Sequence, residues 1–401
     1  MGKAEENIRG CLKREGPITL ARFMEMALYG PGGYYTSRGR VGAGGDYYTS
    51  PSVHPVFGAL MALQLEEMWR LLGRPSPFVV IEMGAGDGCL ARDIVSYAQD
   101  MTPFSLLYIA TDLAPGTPSD EAIHWLRSRG APFRDVVGCV LSNELVDSFP
   151  VHQVTMAGGR VREVYVDLCQ DSLVEVLGEV SSPAIGAYLE AAGIILEEGQ
   201  RVEVCLEVEP WLRGVAEALE RGFLLTIDYG YLQQDLSSPG LQGGTIVGYR
   251  RHDPTTHILE RVGDQDITSL VNFSSLVLLG HKYGLEEQGL VSQRRFLTNL
   301  GLHTFRDALA RQNPKDYYAN GMAMLDLIRE EGLGSFMVLI QSKNVGPCSL
   351  SGLTAGGPQK KRLASSPAGF LNVPLLGPQH TPLLAGKYPH LLWPAHGGDE
   401  E

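Results

Sequence analysis

The sequence predicts an α/β fold: a doubly wound parallel sheet with an N-terminal helical cap and inserted hairpin and helical elements. Three observations carry that expectation. From Phe78 onward, short apolar runs (FVVIEM, LLYIATD, VVGCVLS, FLLTID) stand between helical segments, which is the rhythm of a parallel sheet covered on both faces. The first run leads into VVIEMGAGDGCLARDI, a strand, a glycine loop and a helix, which is the ligand-binding turn of doubly wound sheets. The composition is that of a globular protein, with 44% hydrophobic and 20% charged residues in 401, long enough to bury a substantial core.

Taken in order, TLARFMEMALYG reads as a helix with Thr19 as its N-cap and Gly30 at its end. The glycine-rich GPGGYYTSRGRVGAGGDYYTSPS follows as a loop. Val56, Phe57, Leu60, Met61, Leu65, Met68, Trp69 and Leu72 then recur at helical spacing, apolar around most of the girth, as in a buried helix. After the third β run, VHQVTMAGGRVREVYVDL holds two alternating strands about Gly158-Gly159, a hairpin signal. DITSLVNFSSLVLLGHKYG and GMAMLDLIREEG read as helices, and SFMVLIQSK as the last strand. Beyond Lys343 the chain turns to Gly, Ser and Pro, the composition of an unstructured tail. Three regions result: a helical cap and cofactor lid over 1–75, the sheet domain with insertions over 76–344, and a disordered, dispensable tail over 345–401.

The net charge of −13 argues against nucleic acid, which requires a basic surface, and suits a cationic small molecule or a basic protein segment. Six cysteines form no CxxC pair and no cluster with histidines along the sequence, which points to a reducing compartment and offers no zinc site. The N-terminus lacks an apolar signal core and is too acidic for a transit peptide. No apolar run is long enough for a bilayer. The expected location is the cytoplasm, with no membrane partner and with the oligomeric state open.

The glycine loop decides the ligand. A dinucleotide fingerprint has its glycines as G-x-G-x-x-G; here they are Gly84, Gly86 and Gly88, with Cys89 where the last would stand. Glu82 at the strand end is ill suited to a pyrophosphate and well suited to an ammonium group. S-adenosylmethionine (SAM) fits, with its amino-acid ammonium, sulfonium and ribose and no phosphate. Alternate glycines let the backbone approach it closely, Glu82 would hold the ammonium, and Asp112, ending LLYIATD, would accept from the ribose hydroxyls.

Beyond the loop, the chain resembles the MidA-like family of SAM-dependent methyltransferases, whose mitochondrial branch comprises respiratory complex I assembly factors described as protein arginine methyltransferases. ARFMEMALYGPGGYYT, GGDYYTSPSVHPVFG, IEMGAGDGCLARDI, SNELVDSFPVHQ, LLTIDYGY and HDPTTHILERVGDQDITSLVNFSSL match its blocks in order over most of residues 15–300. Asn272 stands where an aspartate is usual. The resemblance implies a Rossmann-like class I methyltransferase sheet, SAM as cofactor, and a protein substrate with a basic or arginine-bearing segment.

Methyl transfer from a sulfonium is an in-line displacement that needs an oriented nucleophile and excluded water. The candidates for that work are Asn143, Glu144 and Asp147 in SNELVD, where two carboxylates suit a planar guanidinium. Asn143 doubles as a cofactor residue, and Asp46 is a candidate for a lid over the cofactor, with a solvated turn acid as the alternative. Tyr47 and Tyr48 are placed to pack on the adenine or in the core. His152 and His252 are weaker candidates for a base, and Arg250 and Arg251 for a carboxylate grip. Two rivals stay open: a nicotinamide oxidoreductase, and a non-catalytic SAM-binding assembly factor.

Overall fold

The computed structural model describes residues 2–36, 49–101, 104–114, 121–250, 253–357 and 371–380. Its chain divides into two compact units that interleave in sequence. Unit 1 is Met1–Tyr47, Leu145–Leu212 and Gly230–Leu279, and unit 2 is Tyr48–Glu144, Arg213–Tyr229 and Gly280–Glu401. The expected three-way division by sequence order therefore differs from the compact units. No helix among the described residues is long and apolar enough to cross a membrane.

In unit 1 the helices Lys3–Glu15 and Leu20–Leu28 bury Ile8, Leu12, Phe23, Met24 and Leu28. The Thr19 side chain accepts from Arg22 N at 3.2 Å, the N-cap bond that satisfies one of the helix's orphan donors. The hairpin pairs His152–Ala157 with Arg160–Cys169 through Ala157 and Arg160. Its two turn glycines adopt φ +61° and +71°, the left-handed pair that a tight twisted hairpin requires. Ser172–Gly178, Arg201–Val204 and Ile18–Thr19 complete that sheet.

Unit 2 contains a seven-stranded sheet. Its strands are labelled here β1 (Phe78–Met83), β2 (Leu106–Asp112), β3 (Ile123–Arg127), β4 (Val136–Asn143), β5 (Leu219–Asp228), β6 (Glu286–Ser292) and β7 (Met337–Lys343). The spatial order is β6-β7-β5-β4-β1-β2-β3. The run β5-β4-β1-β2-β3 is parallel, whereas β7 lies antiparallel between β5 and β6. The expected doubly wound parallel run is present, and antiparallel β7 extends it into a mixed sheet. One face meets a core built on α1 (Val56–Leu71), α2 (Cys89–Gln99) and the helices Gln293–Leu300 and Leu302–Gln312. On the other, Gly280 packs so close to Gln341 that a Cβ would lie 2.0 Å from its Nε2.

Residues 345–357 and 371–380, which fall in the tail expected to be disordered, make specific contacts within unit 2. α1 carries Gln64 and Glu67 inside the core, 0% and 7% exposed. Buried carboxylates and amides demand partners, and the chain after Lys343 provides them. Ser351 donates from N and Oγ to Glu67 at 2.8 Å each, and Gly352 N donates to Gln64 Oε1 at 2.9 Å. Gly352 lies so near Phe296 that a Cβ would meet its ring at 2.1 Å. Residues 371–380 dock by Leu376 N to Asn320 Oδ1 at 2.8 Å and by His380 to Asp93 at 3.0 Å. His380 Nδ1 accepts from Gly377 N, so Nε2 carries the proton and donates to Asp93 Oδ2. Cys89, Asp93 and His380 do place their polar atoms within 4.8 Å of one another, but that imidazole nitrogen is committed to the latch.

Candidate active site at the carboxyl edge of the sheet

The carboxyl ends of β1, β2 and β4 lie side by side, so their terminal residues share one edge of the sheet. After β1 the chain passes Gly84, Gly86 and Gly88 at φ +73°, +55° and +78°, a left-handed region that side chains with a Cβ rarely enter. Gly84 N and Ala85 N donate to Thr111 O at 2.9 and 3.1 Å, which folds the loop against β2. Gly86 N donates to Asp112 Oδ2 at 3.0 Å, and Ala114 N to Asp112 Oδ1 at 2.9 Å. Asp112 therefore braces the loop while its carboxylate retains lone pairs for a diol. A Cβ at Gly88 would sit 2.6 Å from the Trp125 ring of β3.

Glu82 is only 3% exposed. Tyr108 Oη donates to its Oε2 at 2.9 Å, and Oε1 has no hydrogen-bond partner among the described residues. Burial pushes the carboxyl up to about 8; the Tyr108 hydroxyl works against this, and Asp87 and Asp112 add to it. A carboxyl held so far from water favours its neutral form unless a cation lies beside it. On the neighbouring strand Leu141 pairs with Glu82, so Asn143, two residues on, shares its face of the sheet. Asn143 Oδ1 is buried without a partner, while Nδ2 donates to Glu144 Oε1 at 3.0 Å. Two acceptors at one edge match an ammonium, whose three hydrogens need acceptors, and would repel a phosphate.

Glu144 follows β4 at φ +51°, a left-handed backbone uncommon for a residue with a Cβ. Its amide donates to Ile227 O at 2.9 Å, and its Oε1 also accepts from Ser50 N at 3.3 Å. The strained turn thus aims a carboxylate that is held from two sides.

The structure thereby brings together Glu82, Gly84, Gly86, Gly88, Asp112, Asn143 and Glu144 in unit 2. Asp147 falls in unit 1, on the short helix Val146–Ser148, 5% exposed, with its carbonyl accepting from Ser269 N at 2.9 Å. Asp46, Tyr47, Tyr48, Arg251 and His252 lie outside the described residues. His152 Nδ1 lies 2.7 Å from Glu163 Oε1, a carboxylate that also accepts from Ser181 N, so its ring serves the hairpin. Sequence reasoning missed Tyr108 and Ser50. Tyr108 sits in an apolar run, where an aromatic reads as core, and no signal along the chain links it to Glu82.

A family model of S-adenosyl-L-methionine-dependent methyltransferases matches residues 60–291, which span the glycine loop, β4 and β5. The chain belongs to this family. SAM is its cofactor, and the enzyme is a methyltransferase on a Rossmann-like sheet. It is 29% identical over 338 residues to the mitochondrial protein arginine methyltransferase NDUFAF7 homolog of Drosophila melanogaster, covering 73% of this chain and 75% of that protein. To NDUFAF7 of Bos taurus it is 28% identical over 329 residues, covering 73% and 71%. A crystal structure from Burkholderia thailandensis bound to S-adenosyl-homocysteine superposes with a TM-score of 0.77 at 27% identity, covering 87% of this chain and 94% of that one. These names overturn the cytoplasmic expectation, since the curated relatives are mitochondrial proteins. Composition of a folded domain reports its redox surroundings and charge, and neither distinguishes the two compartments.

Proposed function

We propose that this methyltransferase acts on an arginine side chain of a protein partner in the mitochondrion, with Glu144 as the carboxylate that orients the acceptor. The observation that carries the reading is Glu144 itself: a strained, doubly held carboxylate one residue beyond Asn143 at the cofactor edge. The relatives' names supply the substrate class, and the family resemblance suggests a respiratory complex I subunit as the partner.

The residue roles follow from the chemistry. Bound SAM supplies a methyl group on a sulfonium. Glu82 and Asn143 would receive the ammonium, Asp112 the ribose hydroxyls, and the glycine backbone the body of the molecule; Asp46 is proposed as a lid residue. A guanidinium is charged throughout the physiological range. A carboxylate against it would localise that charge, turn one nitrogen toward the methyl carbon, and take up the proton released as the N–C bond forms and the methyl–sulfur bond breaks to leave the thioether. Asp147 keeps its candidacy as the second acid of SNELVD, and Asp147→Asn tests it.

Glu144→Gln keeps the shape and loses the charge. Turnover of labelled SAM on a purified complex I subunit is expected to fall at least about tenfold, the cost of one charge-assisted contact, while SAM affinity stays within about twofold of the parent chain. Label on RNA or metabolites alone would remove the protein-arginine reading. Glu82→Ala is expected to weaken SAM binding by roughly tenfold to a hundredfold; calorimetry giving the parent affinity would remove Glu82 from the cofactor site.

A further inference from the structure

We propose that Tyr108 is a positioning residue for the cofactor: it fixes Glu82 Oε2, leaves Oε1 to meet the ammonium, and makes cofactor binding release a proton. The inference rests on the reading of Glu82 as the ammonium's carboxylate and goes beyond it by naming what prepares that carboxylate. Tyr108 is fully buried on β2, directly beside the Glu82 strand, and its hydroxyl reaches Oε2 at 2.9 Å. In the sequence it is the aromatic residue of the apolar run LLYIATD, whose ring alone would serve the core. A hydroxyl at that depth needs a partner, and the one it has is the carboxylate at the cofactor edge.

The pair has a defined protonation state on each side. Burial and the adjacent Glu82 hold the Tyr108 hydroxyl well above its ordinary range, so it is a donor at every accessible pH. The groups facing Glu82 are Tyr108 and Asp112 from β2, with Asp87, Cys89 and Arg92 from the loop and α2; Cys139 of β4 faces Tyr108. Both thiols stay protonated, pushed well up by burial. Burial and the two aspartates favour the neutral acid, against the Tyr108 hydroxyl and Arg92. The raised Glu82 carboxyl therefore favours the neutral acid in the unliganded protein. When an ammonium arrives, the O–H bond breaks, the proton passes to solvent, and the carboxylate remains paired with the cation. Tyr108 lowers the cost of that step because its hydrogen bond is stronger to the charged form.

The test is calorimetry with S-adenosylhomocysteine as the probe, from pH 6 to pH 9, in buffers of different ionisation enthalpy. The parent chain is expected to release close to one proton per ligand at pH 7, with affinity rising toward pH 8 before the ligand's own amine loses its proton. Tyr108→Phe is expected to move that rising limb upward by about one pH unit, which is about a tenfold loss of affinity at pH 7. The loss should largely recover on the alkaline side. A purely structural role for the hydroxyl would instead weaken binding equally at every pH, and that result overturns the inference. In the Glu82→Gln background, Tyr108→Phe should have no further pH-dependent effect. If Glu82→Gln leaves both affinity and proton release unchanged, the assignment of Glu82 itself fails. If Glu82→Gln removes the proton release but Tyr108→Phe leaves the limb in place, only the role of Tyr108 fails. Should Tyr108→Phe not fold, absence of proton release from the parent chain at pH 7 overturns the inference by itself.

Discussion

Gly86→Val is expected to abolish cofactor binding while leaving the protein folded. Gly86 holds φ +55° and its amide donates to Asp112 Oδ2 at 3.0 Å. A β-branched residue in that left-handed region costs about 1–2 kcal/mol, and relaxing the strain pulls the amide away from Asp112. The added side chain also enters the space that the alternate glycines leave open for the ligand. Both effects act on binding more than on folding, because the loop lies at the sheet edge while the core lies beneath it. Calorimetry with SAM should show no heat of binding alongside an unchanged circular dichroism spectrum. Binding at the parent affinity would mean that the ligand does not run along this loop.

The second large effect is expected from truncation after Gly346. It removes Ser351 and Gly352, whose donors satisfy Glu67 and Gln64 inside α1, together with His380 on Asp93. Breaking one side of this buried polar network leaves the Glu67 carboxylate with the Gln64 Nε2 donor at 2.9 Å in place of three donors. Discounting for water that enters the vacated groove, the loss is about 3 kcal/mol. The melting temperature should then fall by roughly 6–12 °C. Adding Glu67→Met to the truncated chain should recover part of the fall, since the cause is a carboxylate short of donors and the replacement is apolar. An unchanged melting temperature would return this segment to the dispensable tail that its composition predicts.

Much of the architecture was legible along the chain because it depends on local patterns. The runs at β1, β2, β4 and β5 are apolar and short, as strands buried on both faces must be, and they appear at the expected places. Gly158-Gly159 announced its hairpin through backbone freedom alone. β6, by contrast, is EEQGLVS, an edge strand whose polarity carries no strand signal. β7 was recognised as a strand, but its antiparallel placement between β5 and β6 is a matter of long-range pairing. Direction does not show in a sequence of side chains.

The cofactor loop was readable for the same reason: glycine spacing and a terminal acid are local, and they distinguish an ammonium from a pyrophosphate without coordinates. What the sequence determined by itself was therefore the fold class and SAM as the cofactor, with Glu82, Asp112 and SNELVD as candidate site residues. Only the tertiary structure decided that Asn143 shares a face with Glu82 and that Ser50 holds Glu144. Through it, too, Tyr108 became the partner of Glu82 and a Gly/Ser/Pro segment became part of the core. The reason is physical: a buried polar group states a need for a partner, but the partner is set by chain crossings tens or hundreds of residues away. Glu67 and Ser351 stand 284 residues apart, and neither, read alone along the chain, points to the other.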